Sequence, residues 1–141
     1  MKILVDTNVI LDIILSRKPW YTDAALIFSL TKQKLIKSFV SATTVTDIFY
    51  ISKKDLGNNN ARESLKKLFQ YFIPATVTDK DIYKALNLDW DDFEDSVQYI
   101  IGESFSVDYI VTRNTHDFTA SDIKVVTPEQ FLQIINEEDE E

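Results

Sequence analysis

Four aspartates in four separate segments, Asp6, Asp47, Asp95 and Asp117, are the residues whose type and placement could do chemistry in this 141-residue chain. There is no cysteine, which removes disulfides, thiolate zinc sites and a thiol nucleophile. A single histidine, His116, excludes a two-histidine zinc helix. The two glycines, Gly57 and Gly102, fit neither a phosphate loop nor a dinucleotide fingerprint. What remains is carboxylate chemistry. Carboxylates that converge in one cleft repel each other and raise their own pKa values, and a cation relieves the repulsion. Aspartate oxygens are hard ligands suited to Mg²⁺ or Mn²⁺. One or two such ions lower the pKa of bound water and neutralise the leaving oxygen of a phosphodiester.

Each acid also has an ordinary structural role open to it. Asp6 can serve as a helix N-cap. Asp47 can be a plain helix residue, although its neighbours Val45, Ile48 and Phe49 favour partial burial. Asp91, Asp92, Glu94 and Asp95 suit the first turn of a helix through its dipole. At most two of those four can face one site, because adjacent helix residues point apart, and spacing alone does not choose among them.

The elements that must position these acids alternate strand with helix. Lys2–Asp6 (KILVD), Lys37–Ser41 (KSFVS), Ile73–Val77, Tyr109–Thr112 (YIVT) and Lys124–Val126 read as short strands. Helices are expected over Asp12–Leu15 and Ala24–Leu30, separated by Pro19, the second capped within Tyr21–Asp23. Further helices are expected over Thr43–Lys54, Ala61–Phe72, Thr78–Leu86, Asp92–Ser106 and Pro128–Asn136, with Asp55–Asn60 (DLGNNN) as the clearest loop. This order predicts an α/β fold with a mainly parallel central sheet and helices on both faces. It forms one domain, residues 1–136, followed by a solvated, frayed acidic tail, 137–141. In such sheets, sites form beyond the carboxyl ends of the strands. Asp6 ends the first strand, Asp47 opens the helix after the second, Asp95 opens the helix before the fourth, and Asp117 follows the fourth.

Fifteen basic and 23 acidic residues give a net charge of −8. Removing the five acids of the tail leaves 15 against 18, or −3. Nonspecific nucleic-acid affinity is mostly cationic, so this balance argues against it unless clustered acids hold metal. No apolar run approaches the roughly 20 residues of a membrane span, and the opening MKILVDTN is too soon interrupted by Asp6 to act as a signal peptide. A cytoplasmic protein is expected.

Three stretches carry a family resemblance: VDTNVILDI at the start, DFEDSVQY, and DYIVTRNTHDF. In order and spacing, from Lys2 to about Ile135, the chain resembles the PIN domain family, and within it the VapC-type ribonuclease toxins. The resemblance implies a three-layer α/β/α fold and a metal-dependent endoribonuclease. It implies Asp6, Asp95 and Asp117 as Mg²⁺ or Mn²⁺ ligands, with Asp47 as a fourth catalytic acid. It further implies Asn8, Thr112 and Asn114 as supporting groups, an RNA substrate, a small antitoxin partner and a homodimer. The helices around Ile48–Ile51 and Leu65–Phe72 are the candidate interfaces.

One position departs from the family pattern. The second acid is usually Glu, and SATTVTDIFYI places Asp47 there, shorter by one methylene or roughly 1.5 Å. A catalytically weak or inactive module that binds RNA or a protein partner is therefore the second reading. A phosphoacceptor receiver domain is a poor third, because the first strand ends in a single acid and no lysine follows YIVT. Arg113 and the lysines Lys53, Lys54, Lys66 and Lys67 are expected in solvent, His116 beside Asp117 without a required role, and Trp20 and Trp90 in packing.

Overall fold

The computed structural model describes residues 1–118 and 120–140. Five short runs of β-branched and apolar residues form one sheet in the order β3-β2-β1-β4-β5: β1 (Lys2–Val5), β2 (Lys37–Ser41), β3 (Ile73–Ala75), β4 (Tyr109–Val111) and β5 (Lys124–Val126). Every pairing is parallel. Buried parallel strands are apolar toward both faces, and β1 shows this directly. Ile3 and Val5 join the core on one side, with α1 (Thr7–Leu15), α2 (Tyr21–Lys32), α3 (Val45–Leu56), α4 (Asn58–Leu68) and α7 (Pro128–Glu140). Leu4 joins the core on the other side, with α5 (Asp79–Leu86) and α6 (Phe93–Ser104). The result is the expected three-layer α/β/α arrangement with a parallel sheet.

The chain leaves β1 toward β2 on one side, while β4 pairs on the other. The strand order thus reverses between β1 and β4, which opens a crevice at their carboxyl ends. Asp6 continues the ladder there, its backbone N–H donating to Val111 O at 2.9 Å.

Several boundaries differ from expectation. Helix α1 begins at Thr7, far earlier than Asp12, because the Asp6 side chain caps it. The cap position of α2 is Trp20, with no side-chain hydrogen bond, so Tyr21–Asp23 lies inside the helix. A 3-10 turn over Ala42–Thr44 precedes α3, and β3 stops at Ala75. The expected loop at Asp55–Asn60 shrinks to Gly57, which alone joins α3 to α4. Gly57 adopts φ +80° and ψ 165°, a conformation open to glycine, so one residue turns the chain and the asparagines become the first turn of α4. Helix α4 correspondingly ends at Leu68 and not at Phe72. Helix α7 continues through Glu137–Glu140 instead of ending near Asn136, and Glu141 lies outside the described residues. Among the described residues no helix is long and apolar enough to cross a membrane.

Two caps fix α5 and α6, which matter most for the site. Thr78 and Asp81 form a reciprocal capping box on α5, and Ser104 Oγ donates to Asp81 Oδ1 at 3.2 Å, tying α5 to the end of α6. The hydrogen bonds from Thr78 hold the Asp81 carboxyl below its usual range. Asp92 caps α6 by accepting from Asp95 N at 3.0 Å.

Candidate active site

Asp6 lies at the centre of the crevice, only 7% exposed. Its Oδ1 accepts from Thr7 N at 2.7 Å and from Gln98 Nε2 at 2.8 Å. Its Oδ2 accepts from the Thr112 hydroxyl at 2.7 Å and, at a long 3.4 Å, from Asn8 Nδ2. The N-cap role and the site role of Asp6 are therefore one geometry: the bond that starts α1 also fixes the carboxylate.

Thr112 and Asn8 both lie against Asp6 through these bonds. Asn114 acts through its backbone. Its N–H donates to Thr112 Oγ1 at 3.1 Å, and its carbonyl accepts from Asp117 N at 3.1 Å. This chain of bonds sets the 3-10 turn (Thr115–Phe118) that carries Asp117.

Asp95 and Glu94 bring the first turn of α6 to the same place. Burial pushes the Asp95 carboxyl up to about 7, helped by the charges of Asp92, Asp6, Asp117 and Glu94. Burial likewise raises Glu94, with Asp6, Asp47 and Asp92 adding to it. Asp95 thus lies within electrostatic range of both Asp6 and Asp117, and Glu94 within range of Asp6 and Asp47. Asp95 and Asp117 line one end of a cavity of about 400 Å³ shared with Asp89, Trp90, Asp91, Asp92, His116 and Ala120. Asp47 itself is exposed, contrary to the partial burial its apolar neighbours suggest, because Ile48 takes the inward position. Among the described residues, no three His, Asp or Glu side chains stand close enough to hold an ion by themselves.

Three participants escape the sequence reading. Gln98, 1% exposed, donates to Asp6. It sits three residues after Asp95, hence on the same side of α6, and that spacing is the signal it offers. Asp12 is fully buried on α1, four residues after Asn8. Arg113, expected in solvent, turns inward to it. Its Nε lies 2.9 Å from Asp12 Oδ2 as an ion pair without hydrogen-bond alignment, and its Nη2 donates to Oδ1 at 3.3 Å. The guanidinium lies 3.8 Å from the centre of the Trp20 ring. Burial raises the Asp12 carboxyl, against the opposing pull of Arg113 and Arg17.

The other aromatic expectation holds: Trp90 packs on Tyr99 and Phe118. His116 is mostly exposed, with Nε2 3.3 Å from Asp117 Oδ1. Of the expected interface helices, Ile48, Leu68 and Phe72 belong to the core. Phe49, Tyr50, Leu65 and Phe69 instead line a surface groove between α3 and α4, edged by Arg62 and Lys66.

The PIN domain family model matches residues 2–116, and the chain belongs to that family. It is similar to Ribonuclease VapC1 of Aquifex aeolicus (strain VF5), 23% identical over 137 residues that cover 94% of each chain. Among solved structures it resembles Mycobacterium tuberculosis VapC20, named a sarcin–ricin loop cleaving toxin. The TM-score is 0.65 at 15% identity, over 86% of this chain and 95% of that one. It also resembles VapBC2 from Rickettsia felis bound to a DNA fragment from its promoter, with a TM-score of 0.61 at 14% identity, over 89% and 97% of the two chains. These structural likenesses carry the fold.

Proposed function

We propose that the protein is a Mg²⁺- or Mn²⁺-dependent endoribonuclease and the toxin of a type II toxin–antitoxin pair. The observation that carries this reading is the placement of Asp95, partly buried in the first turn of α6 among the charges of Asp92, Asp6, Asp117 and Glu94, with a carboxyl raised to about 7 chiefly by burial and further by those charges. The donor set there fits a hard divalent cation, because it consists of carboxylate oxygens that repel one another without one. Mg²⁺ takes one or two carboxylates and keeps several waters, so spread acids suit it better than a closed cage does. Asp6, Asp95 and Asp117 would share the ion, one or two of them directly and the remainder through its waters, with Asp47 also reaching it through water. When bound, such an ion supplies Lewis-acid activation of water and of the phosphodiester.

The chain's own groups do the rest. Thr112 and Asn8 orient Asp6, and Asn114 links the β4 end to Asp117. Asp95, whose carboxyl is raised to about 7 without an ion, would give up its proton on taking one. The names of VapC1 and VapC20 support RNA as the substrate, and the VapBC2 assembly supports a small antitoxin partner. A homodimer would use the apolar groove between α3 and α4. A cytoplasmic setting is part of the same proposal.

The test is cleavage of a mixed structured RNA pool by the wild type and by Asp95→Asn, each with Mn²⁺, with Mg²⁺ and with excess chelator. Metal-dependent cleavage that vanishes in the variant is the expected result. Wild type that binds metal without cutting would favour the binding-module reading, which the short, exposed Asp47 supports. Activity gained by Asp47→Glu would then trace the deficit to that carboxylate.

A further inference from the structure

The two oxygens of Asp6 are not equivalent. Oδ1 is filled by two short donors, Thr7 N at 2.7 Å and Gln98 Nε2 at 2.8 Å. A carboxylate oxygen has two lone-pair sites, so nothing strong is left there. Oδ2 has one short donor, Thr112, and only the 3.4 Å approach of Asn8. An incoming cation therefore meets one open oxygen.

Thr7 N supplies its bond as part of the helix cap, so the residue that closes Oδ1 is Gln98. Its setting marks it as more than filler. It is 1% exposed, and its own Oε1 is buried with no hydrogen-bond partner among the described residues. Burying an amide half-satisfied costs stability relative to an apolar side chain of the same volume. Asp6 is the one partner the Gln98 side chain has among the described residues, and its orientation follows from that bond.

We propose that Gln98 is a positioning residue that makes Asp6 a one-oxygen ligand and thereby sets which divalent cation the crevice accepts. Mg²⁺, and Mn²⁺ in the same manner, take octahedral sites built from single carboxylate oxygens and water. Ca²⁺ takes more oxygens and accepts carboxylates through both at once. With Oδ1 closed, the smaller ions are favoured. With Gln98 removed, Oδ1 opens to the ion and Ca²⁺ gains relative to Mn²⁺. This inference rests on the reading of Asp6 as a metal ligand.

The experiment is calorimetric titration of the full chain with Mn²⁺ alone and with Ca²⁺ alone, for the wild type, Gln98→Met and Asp6→Asn. Methionine matches the glutamine in length and has no donor. The expected result is a preference for Mn²⁺ over Ca²⁺ in the wild type that falls about tenfold in Gln98→Met, the scale on which partners of metal ligands act. A purely structural role for Gln98 would weaken both ions alike and leave the ratio unmoved. An unchanged ratio in a folded Gln98→Met, alongside lost Mn²⁺ binding in Asp6→Asn, overturns the inference and leaves the metal site standing. Mn²⁺ binding that survives Asp6→Asn, or is absent from the wild type, overturns both. Gln98→Asn, which draws the amide back by about 1.5 Å, is the second variant should methionine prevent folding. Failure of both to fold would make Gln98 a folding residue and sink the proposal.

Discussion

Arg113 turns its guanidinium away from solvent and onto the fully buried Asp12, with Nε 2.9 Å from Oδ2. The same face of α1 also holds the backbone of Arg113, whose N–H donates to Asn8 Oδ1 at 3.3 Å. Arg113, two residues past β4, is thus gripped twice by α1. The grip fixes Thr112 on one side and Asn114 on the other, so the ion pair braces the crevice without lining it.

Removing one partner of a buried ion pair leaves an uncompensated charge, which costs about 3–5 kcal/mol. Arg113→Met should lose stability on that scale in urea unfolding at pH 8. The loss should shrink at pH 5, because a carboxyl raised by burial takes up a proton more readily once its arginine is gone. The double variant Asp12→Leu/Arg113→Met should recover most of the loss. Equal destabilisation by the single and double variants would show that the pair does not act as a unit.

The two glycines separate backbone strain from crowding. A Cβ at Gly57 meets nothing within 4 Å, yet φ is +80°. Gly57→Ala should cost about 1–3 kcal/mol through conformation alone. A Cβ at Gly102 would stand 2.9 Å from Ile123 Cδ1 and 3.3 Å from Val107 Cγ2. Gly102→Ala should cost less, roughly 0–2 kcal/mol, because overpacking against the yielding tip of Ile123 is offset by the ~1 kcal/mol of helix propensity that alanine brings inside α6, and Ile123→Val beside it should lower that cost while doing nothing for Gly57→Ala. Urea midpoints of the wild type, the two glycine variants and each of them combined with Ile123→Val decide the point.

How far the site could be read in advance follows from these particulars. Asp6 and Asp117 could be placed from the sequence because they stand at or just past strand ends, where an α/β chain must return to one crevice, whereas only the family resemblance singled out Asp95 from Asp91, Asp92 and Glu94. Thr112 and Asn8 came through the family motif. Gln98 was hidden because α6 is buried all round from Ser96 to Gly102, so a helical face of Val97, Ile100 and Ile101 describes only part of what it covers. Arg113 was misplaced because an arginine after a strand usually meets water, and its buried acid lies 101 residues earlier. The loop at Asp55–Asn60 was over-read because three asparagines suggest a turn, whereas Gly57 alone supplies the conformation the corner requires.

The Thr112 hydroxyl accepts from Asn114 N and, at a long 3.4 Å, from Asn8 Nδ2, and donates to a nearly buried carboxylate, so Thr112→Val removes three bonds at nearly constant volume. Hydrogen bonds to charged groups are worth about 1.5–3 kcal/mol. The expected loss is about 2 kcal/mol in urea unfolding, with Thr112→Ser losing under about 1 kcal/mol. Valine and serine variants of equal stability would mean that the hydroxyl contributes only volume.

Asp95 makes the ion-free protein less stable as pH rises. Its folded carboxyl sits near 7 and its unfolded value near 3.8. Below about pH 4 both states are protonated and the group is neutral to folding. Between about 4 and 7 the folded state keeps a proton that the unfolded state has shed, so stability falls across that window and levels off above it. Asp95→Asn removes the window. It should raise stability in chelator at pH 8, on the order of 1–2 kcal/mol after solvent screening, and change nothing at pH 4. The same proton must leave when a cation binds, so Mn²⁺ affinity should rise from pH 6 to pH 8, with proton release seen in buffers of different ionisation enthalpy. A variant that is no more stable than the wild type at pH 8, together with Mn²⁺ binding that releases no proton, would show that Asp95 is not the repelled carboxyl at the centre of this crevice.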